Sequence, residues 1–527
     1  MFLRLAFLLI LLMNLHVFII YRSSFIITKN MSQLSPQLIL GIIVGYFLML
    51  IGIAYLTSRG SSDNESFFMA KRQSPWYLIA IGMIGTSISG ITFISVPGWV
   101  EENSMSYMQT VFGFLLGYVV IAFVLMPMYY KLNLISIYTY LDKRFGKASY
   151  KTGSAFFLLS RTVGSGFRLY LAALVLHQFV TAPFGIPFWL TVAITIGLIW
   201  SYTFKGGVKT IIWTDLIQTL CLLITLVMMI SMLGDKLGLT ISGIADTVLS
   251  SPKSQIFFFE NGWGDTKNFF KQFLAGASIC IVMSGLDQDI MQKNLTVKTL
   301  RGAQINMLSY GALLGFINFL FLSLGILLFI YAKQNNIEIP VVNGTPRTDL
   351  LFPTIALQYS TPVIGVLFFL GILASTYASA DSALTSLTTA FCIDFLGFEK
   401  REENAANKKT RTLVHLGFSV ALFFIIILFY FINDSSVIKA IYTAASYTYG
   451  PLFGLFAFGF LTKRAIKDHL APIICCASPI ITYIINANSK AWFNGYEFSF
   501  ELLILNGLIT FLGLLAISSE GNERQKA

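Results

Sequence analysis

A run of hydroxyl side chains and one carboxylate lies in the middle of a long apolar segment. The run reads Ser375-Thr-Tyr-Ala-Ser-Ala-Asp-Ser382, and apolar residues continue on both sides of it. A charged side chain at the centre of a bilayer costs roughly 2.5–3.5 kcal/mol on insertion scales, so such a residue usually serves a site for ions or substrate. Asp381 therefore indicates a membrane protein that moves a small solute.

Two further apolar segments carry residues that disfavour a regular helix. Residues 82–98 read GMIGTSISGITFISVPG, and residues 276–289 combine Gly276 and Ser278 with Asp287 near their end. Interrupted helices at matching places in two halves of a chain indicate inverted repeats around a binding site at the midplane. Close helix packing through small residues is the structural alternative for either segment alone.

The composition places these segments in a membrane protein. The 527 residues are 56% hydrophobic and only 12% charged, with a mean hydropathy of +0.73. The net charge of +11 lies in short loops, which fits topology signals rather than a nucleic-acid surface. The 4 histidines are scattered, and no nucleophile, phosphate loop or cysteine pair of zinc spacing is present. We therefore expect no enzyme.

Apolar stretches long enough to span a bilayer, about 20 residues each, recur along the chain and predict thirteen helices. The spans fall near 37–57, 75–98, 107–130, 153–180, 184–203, 209–233, 268–291, 303–333, 361–395, 410–432, 437–461, 467–486 and 499–518. Basic residues concentrate in alternate loops, as do Lys293, Lys298 and Arg301, which predicts that these loops are cytoplasmic, with an outer N-terminus and a cytoplasmic C-terminus. Residues 1–30 form an uncertain hydrophobic extension, and residues 519–527 a cytoplasmic tail.

Three separated motifs carry a family resemblance over residues 35–518. They are GGVKTIIWTDLIQ at 206–218, Asp287-Gln288 followed by Gln292-Lys293, and Ala378-Ser-Ala-Asp-Ser382 with Asp394 beyond it. With the span pattern, the chain resembles the sodium:solute symporter family, of which the sialic acid and monocarboxylate carriers are members. The resemblance implies an all-α polytopic domain at 31–518 with a leucine-transporter-type fold. Its discontinuous helices would belong to a 5+5 inverted repeat, residues 75–233 and 268–461.

The resemblance also implies where sodium binds. It places the coupling ion between the carbonyls of Gly85 and Ile88, the carbonyl of Ser375 and the hydroxyl of Ser379. Relatives usually have two adjacent hydroxyl residues where this chain has Ala378 and Ser379, so Asp381, Ser382 or water would replace one ligand. Some relatives bind a further sodium ion, and the positions that match that second site are Asp215, Asp381 and Ser382. Two carboxylates there would favour a second cation or a shared proton.

The same resemblance implies a substrate site lined by the second, third and fourth spans. It places Ser87, Ser89 and Thr92 at substrate-facing positions, with Tyr107 opposite and Gln109 as a weaker candidate. Neutral-sugar carriers use a glutamate on the third span and amides on the second, and this chain has neither. Membrane lipid and a small solute are the expected partners.

Two arginines on the fourth span bear on the charge of that solute. Arg161 and Arg168 are seven residues apart, so they share one helical face with Gly164 between them. An arginine fork suits a carboxylate, although neither residue falls at the position used by sialic acid carriers. Arg161 lies ten residues from Lys151 and has a second interpretation, in which it extends to the cytoplasm. Arg168 is too deep for that.

We therefore expect sodium-coupled uptake of a small organic anion by alternating access at a plasma membrane, such as a bacterial inner membrane. Sialic acid is the first candidate, and other acidic sugars or monocarboxylates follow. Proline, pantothenate or a neutral sugar is the alternative cargo. A sensor or a channel is less favoured, because only residues 518–527 follow the last span, which is too short for a signalling domain.

Overall fold

Helices lie at each place where the sequence predicts an apolar span. The computed structural model describes residues 36–58, 64–204, 207–260, 262–342, 345–398, 404–432 and 437–520. The predicted extension at 1–30 and most of the predicted tail lie outside these residues. The chain is mostly helical, and short 3-10 or π-helical turns join several of its helices.

The first half of the described chain contains eleven α-helices. They are α1 Pro36–Ser58, α2 Asn64–Met69, α3 Trp76–Ser87, α4 Gly90–Asn103, α5 Tyr107–Val120, α6 Met126–Lys131, α7 Thr139–Arg144, α8 Lys147–Leu176, α9 Phe188–Thr203, α10 Gly207–Lys236 and α11 Ile241–Ser250.

The second half contains ten α-helices and two minimal antiparallel ladders, β1 with β2 and β3 with β4. The elements are α12 Phe269–Cys280, α13 Gln288–Leu295, α14 Leu300–Gln334, β1 Val341–Val342, β2 Thr345–Pro346, α15 Leu351–Gln358, α16 Pro362–Ala390, α17 Ala405–Ile432, α18 Val437–Leu461, β3 Ala465–Ile466, α19 Ala471–Ala487, α20 Ser489–Trp492, α21 Leu502–Ala516 and β4 Ser518–Ser519.

The structure does not confirm the thirteen spans that the sequence predicts. Among the described residues, seven helices are long and apolar enough to cross a membrane, or eight if the bent pair Phe269–Gly285 and Gln288–Leu295 forms one span. Helices such as Trp76–Ser87 and Phe188–Thr203 are apolar but shorter than the roughly 20 residues that a bilayer requires. The structure therefore supports a multi-spanning helical chain without confirming the number thirteen.

The bundle has an apolar outer belt and a partly polar interior. Large side chains such as Leu48, Phe424 and Ile473 stay exposed on the outside of the bundle, as expected for residues that contact lipid acyl chains. The interior instead buries hydroxyls and charges, including most of the Ser375–Ser382 run on α16. Polar groups enclosed in this way must find partners within the protein, and these partners define the site.

Basic loops that the sequence predicts on one side of the membrane meet at one end of the bundle. The Arg72 guanidinium donates to the Leu134 carbonyl at 3.0 Å, and Arg144 Nη2 donates to the Thr462 carbonyl at 2.9 Å. Asp468 accepts from the backbone N–H groups of Ala148 and Ser149 at the start of α8, both at 2.8 Å. These contacts join the loops through backbone groups and a helix N-terminus, whose dipole favours the carboxylate.

Small residues allow α5 and α12 to cross closely. A Cβ atom at Gly113 would overlap the Phe273 carbonyl, and one at Gly276 would overlap the Thr110 carbonyl. Close backbone approach of this kind is the usual role of glycine between membrane helices. Because α5 and α12 both line the central cavity, the crossing fixes part of the site.

We expect Gly113→Ala to lower the thermal unfolding midpoint of the purified protein. Overpacking costs roughly 1–3 kcal/mol, which exceeds the gain of about 1 kcal/mol in helix propensity. Gly197→Ala is the matched control, because nothing lies within 4 Å of a Cβ at that helical position. A Gly113→Ala protein that melts at or above the wild-type midpoint would contradict the close crossing.

Candidate functional site

The helical chain breaks between α3 and α4. Ile88 and Ser89 have ψ angles of 86° and 170°, far from helical values. The Ser89 N–H donates to the Ser87 carbonyl at 3.1 Å rather than to the Gly85 carbonyl, its acceptor in a regular helix. The Gly85 carbonyl thus loses its helical donor. This is the kind of backbone oxygen that coordinates sodium in discontinuous membrane helices.

Two neighbouring helices hold the break. On α10, Thr219 Oγ1 accepts the Gly85 N–H at 3.0 Å. On α16, the fit is so close that a Cβ at Gly90 would collide with Thr376 Oγ1. The break therefore lies beside the turn of α16 that carries the first hydroxyls of the Ser375–Ser382 run.

The structure places the predicted sodium ligands on these adjoining elements. Ser375 and Ser379 are both buried and lie one helical turn apart on α16. Ser375 Oγ donates to the Ile372 carbonyl at 3.0 Å, whereas Ser379 Oγ accepts from Arg168 Nη1 at 3.1 Å. Ser379 thus presents a lone pair toward a cationic group.

A central cavity opens beside the break, and both polar and apolar side chains line it, as in many small-molecule sites. Six of the seven predicted substrate residues line it, namely Ser87, Ser89, Thr92, Tyr107, Arg161 and Arg168. Sequence reasoning missed several polar lining residues, namely Tyr118, Ser284, Tyr310, Asn318 and Tyr442.

Hydroxyl groups form two short relays across this cavity. Tyr310 on α14 contacts Ser87 Oγ and accepts from Tyr118 Oη at 3.3 Å. Tyr107 and Tyr442 share a hydrogen bond of 3.2 Å between their hydroxyls. Tyr310 and Asn318 are separated by seven apolar residues of the same helix, and polar residues at both ends of such a stretch were the sequence signal that could have identified them.

Gln109 does not join the cavity. Its Nε2 donates to the Lys267 carbonyl at 2.8 Å, and its Oε1 accepts from the Phe258 N–H at 3.1 Å. Both halves of the amide are thus engaged with the loop before α12. Gln109 faces away from the helical side that Tyr107 presents to the cavity, so the structure gives it a loop-anchoring place instead of a substrate-facing one.

Arg161 is neutralised within the protein. Its guanidinium contacts Asp289 and lies 3.8 Å from Asp287 Oδ2, which also accepts from Tyr449 Oη at 2.6 Å. The residue is only 4% exposed. The interpretation in which Arg161 extends to the cytoplasm is therefore wrong, because two buried carboxylates at the start of α13 hold it inside.

Arg168, nearly two helical turns further along α8, has a different environment. Within the described part of the chain, no carboxylate lies within the 4.0 Å salt-bridge distance of its guanidinium. Its guanidinium donates to the neutral hydroxyl of Ser379, and the residue also lines the cavity. The cavity thus contains a cation whose charge is free to bind an anion.

The three residues predicted for a second sodium site have separate partners. Asp215 Oδ2 lies 2.5 Å from Lys293 Nζ and accepts from Thr86 Oγ1 at 3.1 Å. Asp381 Oδ2 accepts from Tyr202 Oη at 3.0 Å, and Ser382 donates to Asp289. Oδ1 of Asp215 and Oδ1 of Asp381 are buried without a hydrogen-bond partner.

Lys293 is the main residue of this region that the sequence misplaced. As part of a basic run it suggested a cytoplasmic loop, yet the structure buries it to 3% exposure. Its ammonium group contacts both Asp215 and Thr86. Lys293 lies only four residues beyond the predicted intramembrane Asp289. Because buried charges are paired, the sequence could have identified this lysine as the partner of an acid within the membrane.

The chain matches the model of the sodium:solute symporter family over residues 67–468. The sodium/sialic acid symporter NanT of Aliivibrio fischeri is 24% identical over 425 residues, 79% of this chain and 81% of the relative. The sodium/sialic acid symporter SiaT of Proteus mirabilis is 24% identical over 440 residues, 80% of this chain and 84% of the relative.

The fold has a solved counterpart. A structure described as a substrate-bound outward-open state of a Na+-coupled sialic acid symporter matches with a TM-score of 0.76 at 20% identity. The match covers 92% of this chain and 99% of the other.

Asp215→Asn should destabilise the protein, because it leaves the buried Lys293 ammonium without its carboxylate. Removing one partner of a buried pair costs about 3–5 kcal/mol, so the thermal unfolding midpoint should fall. Combining Asp215→Asn with Lys293→Met removes both charges and should recover most of that loss. Equal midpoints for wild type and Asp215→Asn would show that this pair does not stabilise the fold.

Proposed function

The chain belongs to the sodium:solute symporter family, and we propose that its cargo is a small organic anion. A sialic acid is the first candidate, followed by other acidic sugars and monocarboxylates. The observation that carries this proposal is Arg168, a cavity-facing cation without a carboxylate partner among the described residues. The similarity to two sodium/sialic acid symporters supports the same cargo.

The chemistry of the cavity suits a polyhydroxylated acid. Arginine presents a planar fork that binds a carboxylate through two parallel hydrogen bonds. Around it, Ser87, Ser89, Thr92 and Tyr310 provide hydroxyls for the hydroxyl groups of a sugar. Arg161 contributes little net charge because Asp287 and Asp289 neutralise it. One anionic group per solute therefore matches the charge of the cavity.

The proposed coupling ion lies between the break and α16. Its ligands would be the carbonyls of Gly85, Ile88 and Ser375 and the hydroxyl of Ser379, because sodium prefers several oxygens. The lost helical donor at Gly85 supports this assignment. Each sodium ion that enters gains about 2.3 kcal/mol per 100 mV of membrane potential, which is enough to concentrate a solute.

The proposed architecture for this coupling is a 5+5 inverted repeat of residues 75–233 and 268–461 within a thirteen-helix domain at 31–518. The break at Ile88–Ser89 and the 61° bend between Phe269–Gly285 and Gln288–Leu295 support it, because they interrupt corresponding helices of the two halves. Alternating access of the repeats would carry solute inward across a plasma membrane, such as a bacterial inner membrane.

A second cation site is part of the proposal in a modified form. Lys293 already supplies a positive charge at Asp215, and Ser382 is engaged with Asp289. The free, buried Oδ1 of Asp381 is then the ligand available to a further sodium ion or to a proton.

A neutral solute is the second candidate cargo. It is favoured by one observation, the hydrogen bond that already satisfies one Arg168 nitrogen through neutral Ser379. If that bond persists with substrate bound, the cavity would present mainly hydroxyls to the solute. A neutral sugar, proline or pantothenate would then be the cargo.

Arg168→Lys should weaken uptake of an anionic solute, because lysine keeps the charge but loses the two-pronged geometry. Arg168→Ala should weaken it further. The loss of a charge-assisted hydrogen bond, about 1.5–3 kcal/mol, corresponds to roughly ten- to a hundredfold in affinity. Uptake of radiolabelled N-acetylneuraminate into proteoliposomes under a sodium gradient measures this, with proline as the neutral comparison. Normal anion uptake by both variants would contradict the assigned role of Arg168, whereas uptake of proline and not of the anion by wild type would favour the neutral-solute candidate.

Ser379→Ala should raise the sodium concentration that gives half-maximal uptake, because it removes the hydroxyl ligand. Ser386→Ala is the matched control on the same helix, since Ser386 is also buried and its hydroxyl donates only to the Ala383 carbonyl within that helix. A sodium dependence of Ser379→Ala equal to that of Ser386→Ala would contradict the proposed ion site.

A further inference from the structure

Arg168 and the proposed sodium ion share one ligand. The guanidinium Nη1 donates to Ser379 Oγ at 3.1 Å, and the proposed function assigns the same oxygen to sodium. A hydroxyl oxygen has two lone pairs, but two cations at one buried oxygen repel each other strongly where the dielectric constant is low. Arginine stays charged at all physiological pH values, so it cannot relieve this repulsion by losing a proton.

The Arg168 side chain has space into which it can move. It lines the central cavity and also a narrow adjoining space beside Gly164. Gly164 lies between the two arginines on that face of α8, and a Cβ there would meet nothing within 4 Å. The conformation in which Arg168 bonds Ser379 is thus one of several that this long, flexible side chain can adopt.

The charges around Arg168 favour movement into the cavity only when an anion is present. The neighbouring cation is Arg161, which Asp287 and Asp289 hold through α13. Tyr449 on α18 also donates to Asp287, so that carboxylate already has several donors. Without a solute, Arg168 would meet mainly neutral hydroxyls and the already paired Arg161 in the cavity, whereas a bound carboxylate would offer a charged acceptor.

We propose that the Arg168 guanidinium competes with sodium for the Ser379 hydroxyl. The guanidinium bonds Ser379 when sodium is not bound, and it leaves Ser379 to bind the carboxylate of the solute. This inference rests on the proposed function. Sodium displaces the guanidinium toward the cavity, where it can bind the anion, and the anion keeps it away from the ion site. Each ligand therefore raises the affinity of the other by the same factor, as linkage requires.

The direct test is the sodium affinity of purified protein without any organic solute. Arg168→Met keeps most of the side-chain volume and removes the competing charge, so it should bind sodium at least about fivefold more tightly, the lower end of typical coupling between sites. Arg168→Gln keeps an N–H donor for Ser379 without charge, and it should fall between Arg168→Met and wild type. Binding of radioactive sodium to the immobilised protein measures all three.

Lys333→Met is the control for a general change in charge, because Lys333 lies exposed in the last turn of α14. It should bind sodium as wild type does. A sodium affinity of Arg168→Met that equals or falls below that of wild type overturns the inference, whatever the cargo is. Thermal unfolding of each variant with and without sodium provides a second readout, since tighter sodium binding raises the midpoint.

A second measurement separates this inference from the proposed cargo. Saturating N-acetylneuraminate should tighten sodium binding to wild type and leave that of Arg168→Met unchanged. If Arg168→Met binds sodium more tightly but the anion changes nothing in wild type, the cooperative part of the inference is overturned and the anionic cargo fails with it. If the anion is transported but Arg168→Met does not tighten sodium binding, the cargo stands and the competition is overturned.

Discussion

The break between α3 and α4 is the constraint from which the rest of the interior follows. Unpaired backbone groups inside a membrane protein must be satisfied by protein or by a bound ligand. Here Thr219 of α10 accepts the Gly85 N–H, and Thr376 of α16 approaches Gly90 so closely that a Cβ there would collide with its hydroxyl. The two helices that carry Asp215 and Ser379 are therefore also the helices that hold the break, which joins the candidate ion site to the fold itself.

Charge compensation divides the interior into structural and functional parts. Arg161 is paired with Asp287 and Asp289, and Lys293 is paired with Asp215. Such buried pairs contribute little net stability compared with apolar packing, but they cost several kcal/mol when one partner is lost. Arg168 stands apart because its recorded partner is the neutral Ser379. This difference is the structural basis for the proposal of an anionic solute.

The Asp394 carboxylate connects the end of α16 to the start of α8. Asp394, at the end of the segment that continues α16, accepts from Tyr150 Oη at 2.8 Å and from Ser154 Oγ at 2.5 Å. Both donors lie in the first turns of α8, the helix that carries Arg168. A displacement of α16 relative to α8 would change the Arg168–Ser379 distance directly, which would connect the proposed alternating access to the candidate ion site.

The sequence alone determined the membrane class, the helical architecture, the family and the segments that form the site. The hydroxyl run on α16 and the glycine-rich stretch before Gly98 were readable because polar residues in apolar segments are costly and thus informative. Six of seven proposed cavity residues came from these patterns and the family motifs, and the structure places those six around one cavity. Gln109, the weaker candidate, instead bonds a loop that is remote in sequence, and no local pattern reveals such a contact.

Only the tertiary structure decided which charges are paired. Arg161 and Arg168 are the same residue type on one face of α8, and no local pattern separates them. Their roles differ because Asp287 and Asp289, more than a hundred positions later in the chain, reach Arg161 and not Arg168. In the same way, Lys293 forms an ion pair with Asp215 and does not lie in a loop. Pairing depends on distances of a few ångströms between helices that are remote in sequence, and these distances exist only once the helices have packed.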